Sequence, residues 1–319
     1  MLRRLAFAAL LCAPLPAQAL ELSLPVDCAL GRDCFIQHLV DRIPGPGVQD
    51  FACGAASYEG HEGVDIRVPA LTDLKRGVTI RAAAEGRVVR AMDSQLDHML
   101  EDGQALFAAN CGNGVTLEHG EGWITQYCHM VLGSVQVRVG DVVQRGQPLG
   151  NMGVSGATSF PHLHFAVKKG ELVADPFKGA CGGSGLWRGD SGLAGWTPRP
   201  EILNWGLAGA PPTLQAVKTD PAALPPPAGG RDFIFIWAQV LGARPGDELR
   251  ASLRDPSGKI AADEPYRVDS GSGVFFLRLG VEPKDGGYEI WPPGGYEGSL
   301  RLLREGRELL RDSRRIDLR

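Results

Sequence analysis

The chain has 319 residues, a formal net charge of -4 and 22% charged residues. That balance leaves no broad basic footprint, which argues against nucleic acid as a partner. With 43 glycines, 23 prolines and 7% aromatic residues, the composition is that of a turn-rich, mostly β protein.

Arg3 and Arg4 give the start positive charge, Leu5 to Leu15 are mostly apolar, and Ala17-Gln18-Ala19 has the small-x-small form of a cleavage site. This predicts a secretory signal peptide over residues 1–19, too short to span a membrane. Cys12 would be acylated in a lipoprotein, but Leu11 stands where such sites take a small residue. No later segment has about twenty uninterrupted apolar residues, so the exported chain is expected to be soluble, without membrane insertion, and periplasmic or extracellular. About 300 residues remain, enough for two domains.

Residues 20–53 form an N-terminal segment that could cover a site farther on, brace it, or serve as a pro-segment. Past the signal lie Cys28, Cys34, Cys53, Cys111, Cys128 and Cys181. In an exported protein these predict disulfides; the absence of any Cys-x-x-Cys argues against a zinc cluster. Cys28 with Cys34 and Cys111 with Cys128 are the preferred local pairs, which leaves Cys53 with Cys181.

Short apolar runs punctuated by glycine or aspartate follow: Val78 to Ile80, Gly86 to Val89, Gly114 to Glu118, Trp123 to His129, Val135 to Val139 and Leu163 to Val167. They predict antiparallel strands. Asp93 to Asn110 breaks the rhythm as an excursion that could hold a short helix. Near Trp196 the composition changes, with linker-like stretches at Gly206 to Pro212 and Leu224 to Gly230. Strands are then predicted over Phe233 to Leu241, Asp247 to Arg254, Val274 to Leu279, Tyr288 to Trp291 and Ser299 to Arg304. A turn at Arg304 to Arg307 leads into a final hairpin. Short strands at regular spacing suggest a small immunoglobulin-like β-sandwich over 196–319, which carries no histidine or cysteine and so no catalysis.

Two clusters carry chemistry. His61 and Asp65 stand four apart in Gly60 to Arg67; extended, they share a face with Gly63, which would leave room for an ion. His162 and His164 share a face of the second cluster, Phe160 to Val167, where two buried imidazoles are costly unless their nitrogens are engaged. Together the clusters supply His61, Asp65 and one of the two histidines. Three protein ligands with one open position describe a catalytic zinc site. Alternation puts His129 on one face with Trp123, Thr125 and Tyr127, and Cys128 on the other. His119 reads as a turn or packing residue, Glu62 as solvated, and His38 and His98 belong to no constellation.

His-x-x-x-Asp, then Tyr127-Cys128-His129, then His162-Leu163-His164, in that order, resemble the lysostaphin-type (LytM-like) zinc endopeptidases, which cut peptide cross-links in bacterial cell walls. Gly112 to Gly120 and Val139 to Gly150 extend the likeness, which covers roughly Gly54 to Phe177. The resemblance implies an all-β catalytic domain over 54–195 with an antiparallel sheet. It implies one Zn2+ held by His61, Asp65 and His164, with His129 and His162 as general base and stabiliser of the tetrahedral intermediate, and peptidoglycan peptides as substrate. Some relatives have lost ligands and only activate other hydrolases, but all five positions are kept here, so an active enzyme is expected. The cysteines, the excursion and the sandwich are unusual for the family, and the sandwich offers a surface for a protein partner.

Three other readings compete. Two histidines and a carboxylate also describe a non-haem Fe(II) site, which suits a disulfide-forming compartment poorly. The Gly140 to Gly150 hairpin resembles biotinyl carrier domains, yet no lysine stands at its turn. A catalytically silent wall-binding or hydrolase-activating module on the same scaffold is the remaining alternative.

Overall fold

The computed structural model describes residues 19–101, 111–269 and 273–318. The signal-peptide reading falls on residues 1–19 and, apart from Ala19, lies outside the described residues, as does the 102–110 part of the excursion. Nearly all regular structure is β, and the strand ladders are antiparallel, as expected.

The first ten strands are β1 (Phe35–His38), β2 (Gly63–Arg67), β3 (Thr79–Arg81), β4 (Gly86–Met92), β5 (Asn113–Glu118), β6 (Trp123–Met130), β7 (Val142–Val143), β8 (Pro148–Asn151), β9 (His162–Lys169) and β10 (Leu172–Val173). The main sheet runs β1-β2-β9-β6-β5-β4-β7, with β10 also paired to β9, while β3 and β8 form a separate two-stranded ladder. One face is apolar: Val64 and Ile66 of β2, Leu163, Phe165 and Val167 of β9, and Tyr127 of β6 are fully buried in one core. Each such aliphatic or aromatic side chain contributes about 1.5–3 kcal/mol through burial. A one-residue slip of β2 or β9 would drive Asp65 or His164 into that core, so the register is fixed energetically. The opposite face therefore receives Gly63, Asp65 and Arg67 beside His162 and His164, with Asp65 opposite His164 and His164 opposite Cys128.

The N-terminal segment is built into this sheet. β1 pairs with β2, with Phe35 opposite Arg67 and His38 opposite Asp65. Leu22, Val26 and Leu39 are buried in the same core. Disulfides join Cys28 to Cys34, Cys53 to Cys181 and Cys111 to Cys128, the three pairs expected.

Several strand assignments need correction. Val135 to Val139 joins no ladder; Gln136 N donates to Leu149 O at 2.9 Å, and the chain then turns at Gly140. Residues 93–101 contain no helix. Instead Asp93 accepts from Gly133 N and Asp97 from Leu132 N, tying the excursion to the 131–135 loop.

The remaining elements are β11 (Glu201–Ala208), α1 (Leu214–Thr219), β12 (Ile234–Leu241), β13 (Glu248–Arg254), β14 (Ile260–Arg267), β15 (Val274–Val281), β16 (Gly294–Arg304) and β17 (Arg307–Leu318). The sheet β11-β12-β15 and the sheet β14-β13-β16-β17 share a core that includes Trp205, Ile236, Leu249 and Leu300. Tyr288 to Trp291 is not a strand; Trp291 makes an isolated bridge to Gly230 and its indole N–H donates to Asp232 O. β11 begins before the linker-like glycines that obscured it. β14 carries Pro265 and occupies a sheet edge, where a missing N–H is tolerated. Phe35 of β1 packs with Leu203, Leu241 and Val274 in a small separate cluster, so β11, β12 and β15 meet the first strand of the main sheet.

Candidate metal centre

β2 and β9 present their polar residues directly opposite each other, and the loop before β2 adds His61. Three atoms converge. His61 Nε2 lies 3.1 Å from Asp65 Oδ1 and 3.1 Å from His164 Nδ1, and His164 Nδ1 lies 3.0 Å from Asp65 Oδ1. These are the residues whose ligand atoms cluster closely enough to share one ion among those described. Tetrahedral zinc with bonds of about 2.0–2.1 Å separates its ligand atoms by about 3.3 Å, so the spacing fits that ion.

Electrostatics favour a cation here. His61 Nδ1 donates to Leu39 O at 2.7 Å, so in the neutral ring Nε2 carries a lone pair aimed at a carboxylate oxygen. A positive charge satisfies that convergence of lone pairs, and the carbonyl contact is the outer support that orients metal-ligating imidazoles. Burial alone would raise the Asp65 carboxyl. The opposing pull of His61 and His162, with hydrogen bonds from His164 and His38, holds it well below the usual carboxylate range. Burial likewise pushes His61 down, but Asp65 and the Leu39 carbonyl outweigh it and raise the ring.

Gly63 does not keep space for an ion. A Cβ there would lie 2.7 Å from His164 Cε1 and Nε2, so the room is taken by the His164 ring itself. The glycine is required because β2 and β9 bring this ring over the β2 backbone.

His129 and His162 complete a ring cluster. Their centroids are 4.6 Å apart, and His129 lies 6.3 Å from His164. The strict alternation expected for β6 fails at His129, whose φ is 64°. That left-handed residue turns the side chain away from the Tyr127 face, and Tyr127 is instead buried in the core, where it also accepts from Thr125 Oγ1 at 3.1 Å. Its hydroxyl accepts from Ala83 N at 2.8 Å. The bend is held by His129 N donating to Cys111 O and by Gly153 N donating to His129 O, each at 2.8 Å.

Both flanking rings have their Nδ1 engaged. His129 Nδ1 donates to Ser155 O at 2.7 Å, and His162 Nδ1 to Phe160 O at 2.9 Å. Nε2 is thereby left as the exchangeable nitrogen of each; that of His162 lies 3.5 Å from Asp65 Oδ1. Burial lowers the His129 imidazole to about 4 and the His162 imidazole well below its ordinary value. Both are neutral near pH 7 with the proton on Nδ1, so each presents a lone pair at Nε2 that can accept a proton.

The sequence reading misses His38. Its Nδ1 donates to Asp65 Oδ2 at 3.0 Å, a contact made by strand pairing across 27 positions. Ser155 and Thr158 are also silent in the sequence: Ser155 Oγ donates to Met130 O at 2.6 Å, and Thr158 Oγ1 lies 3.1 Å from His162 Nδ1. His119 Nδ1 donates to Glu85 O and its Nε2 lies 2.7 Å from Thr125 Oγ1, away from the cluster. Glu62 pairs with Lys168 at the surface.

Residues 59–176 match peptidase family M23. The cell division protein DipM of Caulobacter vibrioides is 36% identical over 81 residues, which are 24% of this chain and 13% of that protein. The peptidoglycan DD-endopeptidase ShyA of Vibrio cholerae is 37% identical over 69 residues, 21% of this chain and 16% of that protein. The matches thus span less than a fifth of either relative's length. Among solved structures, the catalytic domain of lysostaphin from Staphylococcus simulans has a TM-score of 0.30 at 25% identity, covering 44% of this chain and 87% of that one. The ordered histidine and aspartate motifs lie inside the matched stretch, and residues 59–176 are a peptidase M23 (LytM-like) domain.

Proposed function

We propose that the protein is an exported zinc metalloendopeptidase that hydrolyses peptide bonds in peptidoglycan cross-links. The observation that carries this reading is the convergence of His61 Nε2, Asp65 Oδ1 and His164 Nδ1 within 3.1 Å of one another, flanked by two neutral imidazoles. His61, Asp65 and His164 are the residues to hold the ion. When bound, zinc supplies Lewis acidity toward a carbonyl and makes water nucleophilic at neutral pH.

The chain supplies the proton transfers. His129 and His162 each keep Nδ1 on a backbone carbonyl, so their rings are oriented and their Nε2 atoms face the chemistry. One accepts at Nε2 the proton released on attack and returns it to the leaving amine; the other, its Nδ1 held on a carbonyl, donates to the developing oxyanion from Nε2 after taking up a proton from solvent as charge develops. Residues 54–195 are read as the catalytic domain and residues 196–319 as an immunoglobulin-like sandwich that takes a partner protein or wall component. The peptidoglycan substrate is supported by relatives named as peptidoglycan DD-endopeptidases. Three disulfides support a location outside the cytoplasm, and no helix among the described residues is long and apolar enough to cross a membrane.

The test is incubation of the zinc-loaded protein with purified peptidoglycan of several cross-link types, reading new amino groups by mass spectrometry. Cleavage that His164→Ala abolishes is expected. No cleavage of any wall type would favour the silent module.

A further inference from the structure

We infer that His38, on β1 and outside the stretch that matches family M23, is a positioning residue that presets the Asp65 carboxylate for the metal; this rests on the zinc reading above. Asp65 is 2% exposed. Its Oδ1 meets His61 and His164, while Oδ2 receives the proton of His38 Nδ1 at 3.0 Å. Holding Oδ2 fixes the rotation of the carboxylate, so that one oxygen is committed to the ion.

His38 is itself held. Gln37 Nε2 lies 3.3 Å from His38 Nε2 and donates to it, which leaves Nδ1 as the N–H facing Asp65. The Gln37 amide is oriented in turn by Arg67 Nη1, which donates to Gln37 Oε1. Arg67 is buried and pinned by Val68 O at 3.0 Å, by Pro69 O at 3.1 Å and by the Phe160 ring 4.7 Å from its guanidinium carbon. The chain Arg67, Gln37, His38, Asp65 therefore sets one tautomer and one carboxylate rotamer in advance. Gly273, the residue before β15, lies close by: a Cβ there would be 3.2 Å from His38 Nε2. Outer partners of this kind contribute about 10–100-fold in metal affinity.

The experiment uses the full chain, stripped with a chelator and titrated with zinc against a chromophoric chelator. His38→Asn keeps an N–H where Nδ1 stands; His38→Leu matches asparagine in size and has no donor; His38→Phe keeps a ring without one. Expected are zinc affinities about 10–100-fold weaker for the Leu and Phe variants and largely restored for the Asn variant, with circular dichroism and disulfide content unchanged. Wild-type affinity in the Leu variant, or an Asn variant as weak as the Leu variant, would overturn the assignment. Should the Phe variant fail to fold, the Asn and Leu pair decides. A wild-type chain that binds no zinc would instead sink the metal reading, and this inference with it.

Discussion

Gly63→Ala tests the metal centre at its tightest point. The backbone at Gly63 lies in a conformation open to alanine, so the cost is steric. The new methyl would lie 2.7 Å from two atoms of the His164 ring and 2.9 Å from Phe165 O. Ordinary contact begins near 3.4 Å, so the ring must retreat by about 0.7 Å, several times the roughly 0.2 Å tolerance of a metal bond length. Overpacking of this size costs about 1–3 kcal/mol of stability. The displaced ligand should weaken zinc binding by at least about tenfold, or about 1.4 kcal/mol. Competitive zinc titration of the stripped protein reads the second quantity and thermal melting of the same sample reads the first. An alanine variant that melts lower yet binds zinc as tightly as wild type would show that His164 is not a ligand from this position.

Four further outcomes are expected. Cys111→Ser with Cys128→Ser should lower turnover by releasing the His129 bend while leaving zinc affinity within about threefold, since neither sulfur holds the ion; retained turnover on a defined cross-linked peptide would refute the link. Tyr127→Phe leaves the buried Ala83 N–H without its acceptor and should cost about 1–3 kcal/mol in denaturant melts, with metal binding intact. Burial raises Asp175 from 3.8 to about 6. Its contribution to stability is therefore full below its unfolded value and is lost as pH rises through the folded one, by up to about 3 kcal/mol. Asp175→Asn should flatten the stability profile between pH 4 and 7, and a profile identical to wild type would exclude that origin. Chelation should abolish peptidoglycan cleavage and zinc should restore it, whereas one equivalent of iron in protein purified without added metal would point to the other chemistry of two histidines and a carboxylate.

Spacing made much of the centre legible. His61, Asp65 and the His162, His164 pair stand at intervals whose geometry follows from extended backbone, and the three disulfides followed from export and proximity. What escaped depends on nonlocal or irregular backbone. His38 reaches Asp65 only because β1 pairs with β2, and Phe35 to His38 carries no feature that announces such a partner. Alternation puts His129 on the wrong face because it assumes negative φ, and a left-handed histidine leaves no mark in composition. Among the strands, β14 was hidden by Pro265 and β11 by the glycines at its end, whereas the hairpin turning at Glu305 and Gly306 was plain from its turn residues.

The seam between β1 and β2 has a practical bearing on how the protein can be divided. A fragment cut to residues 59–176 would lose β1 and leave the outer N–H and C=O groups of β2 without ladder partners. Such a bare edge recruits strands from neighbouring molecules. Poor solubility of that fragment would reflect a severed sheet rather than an unstable peptidase core.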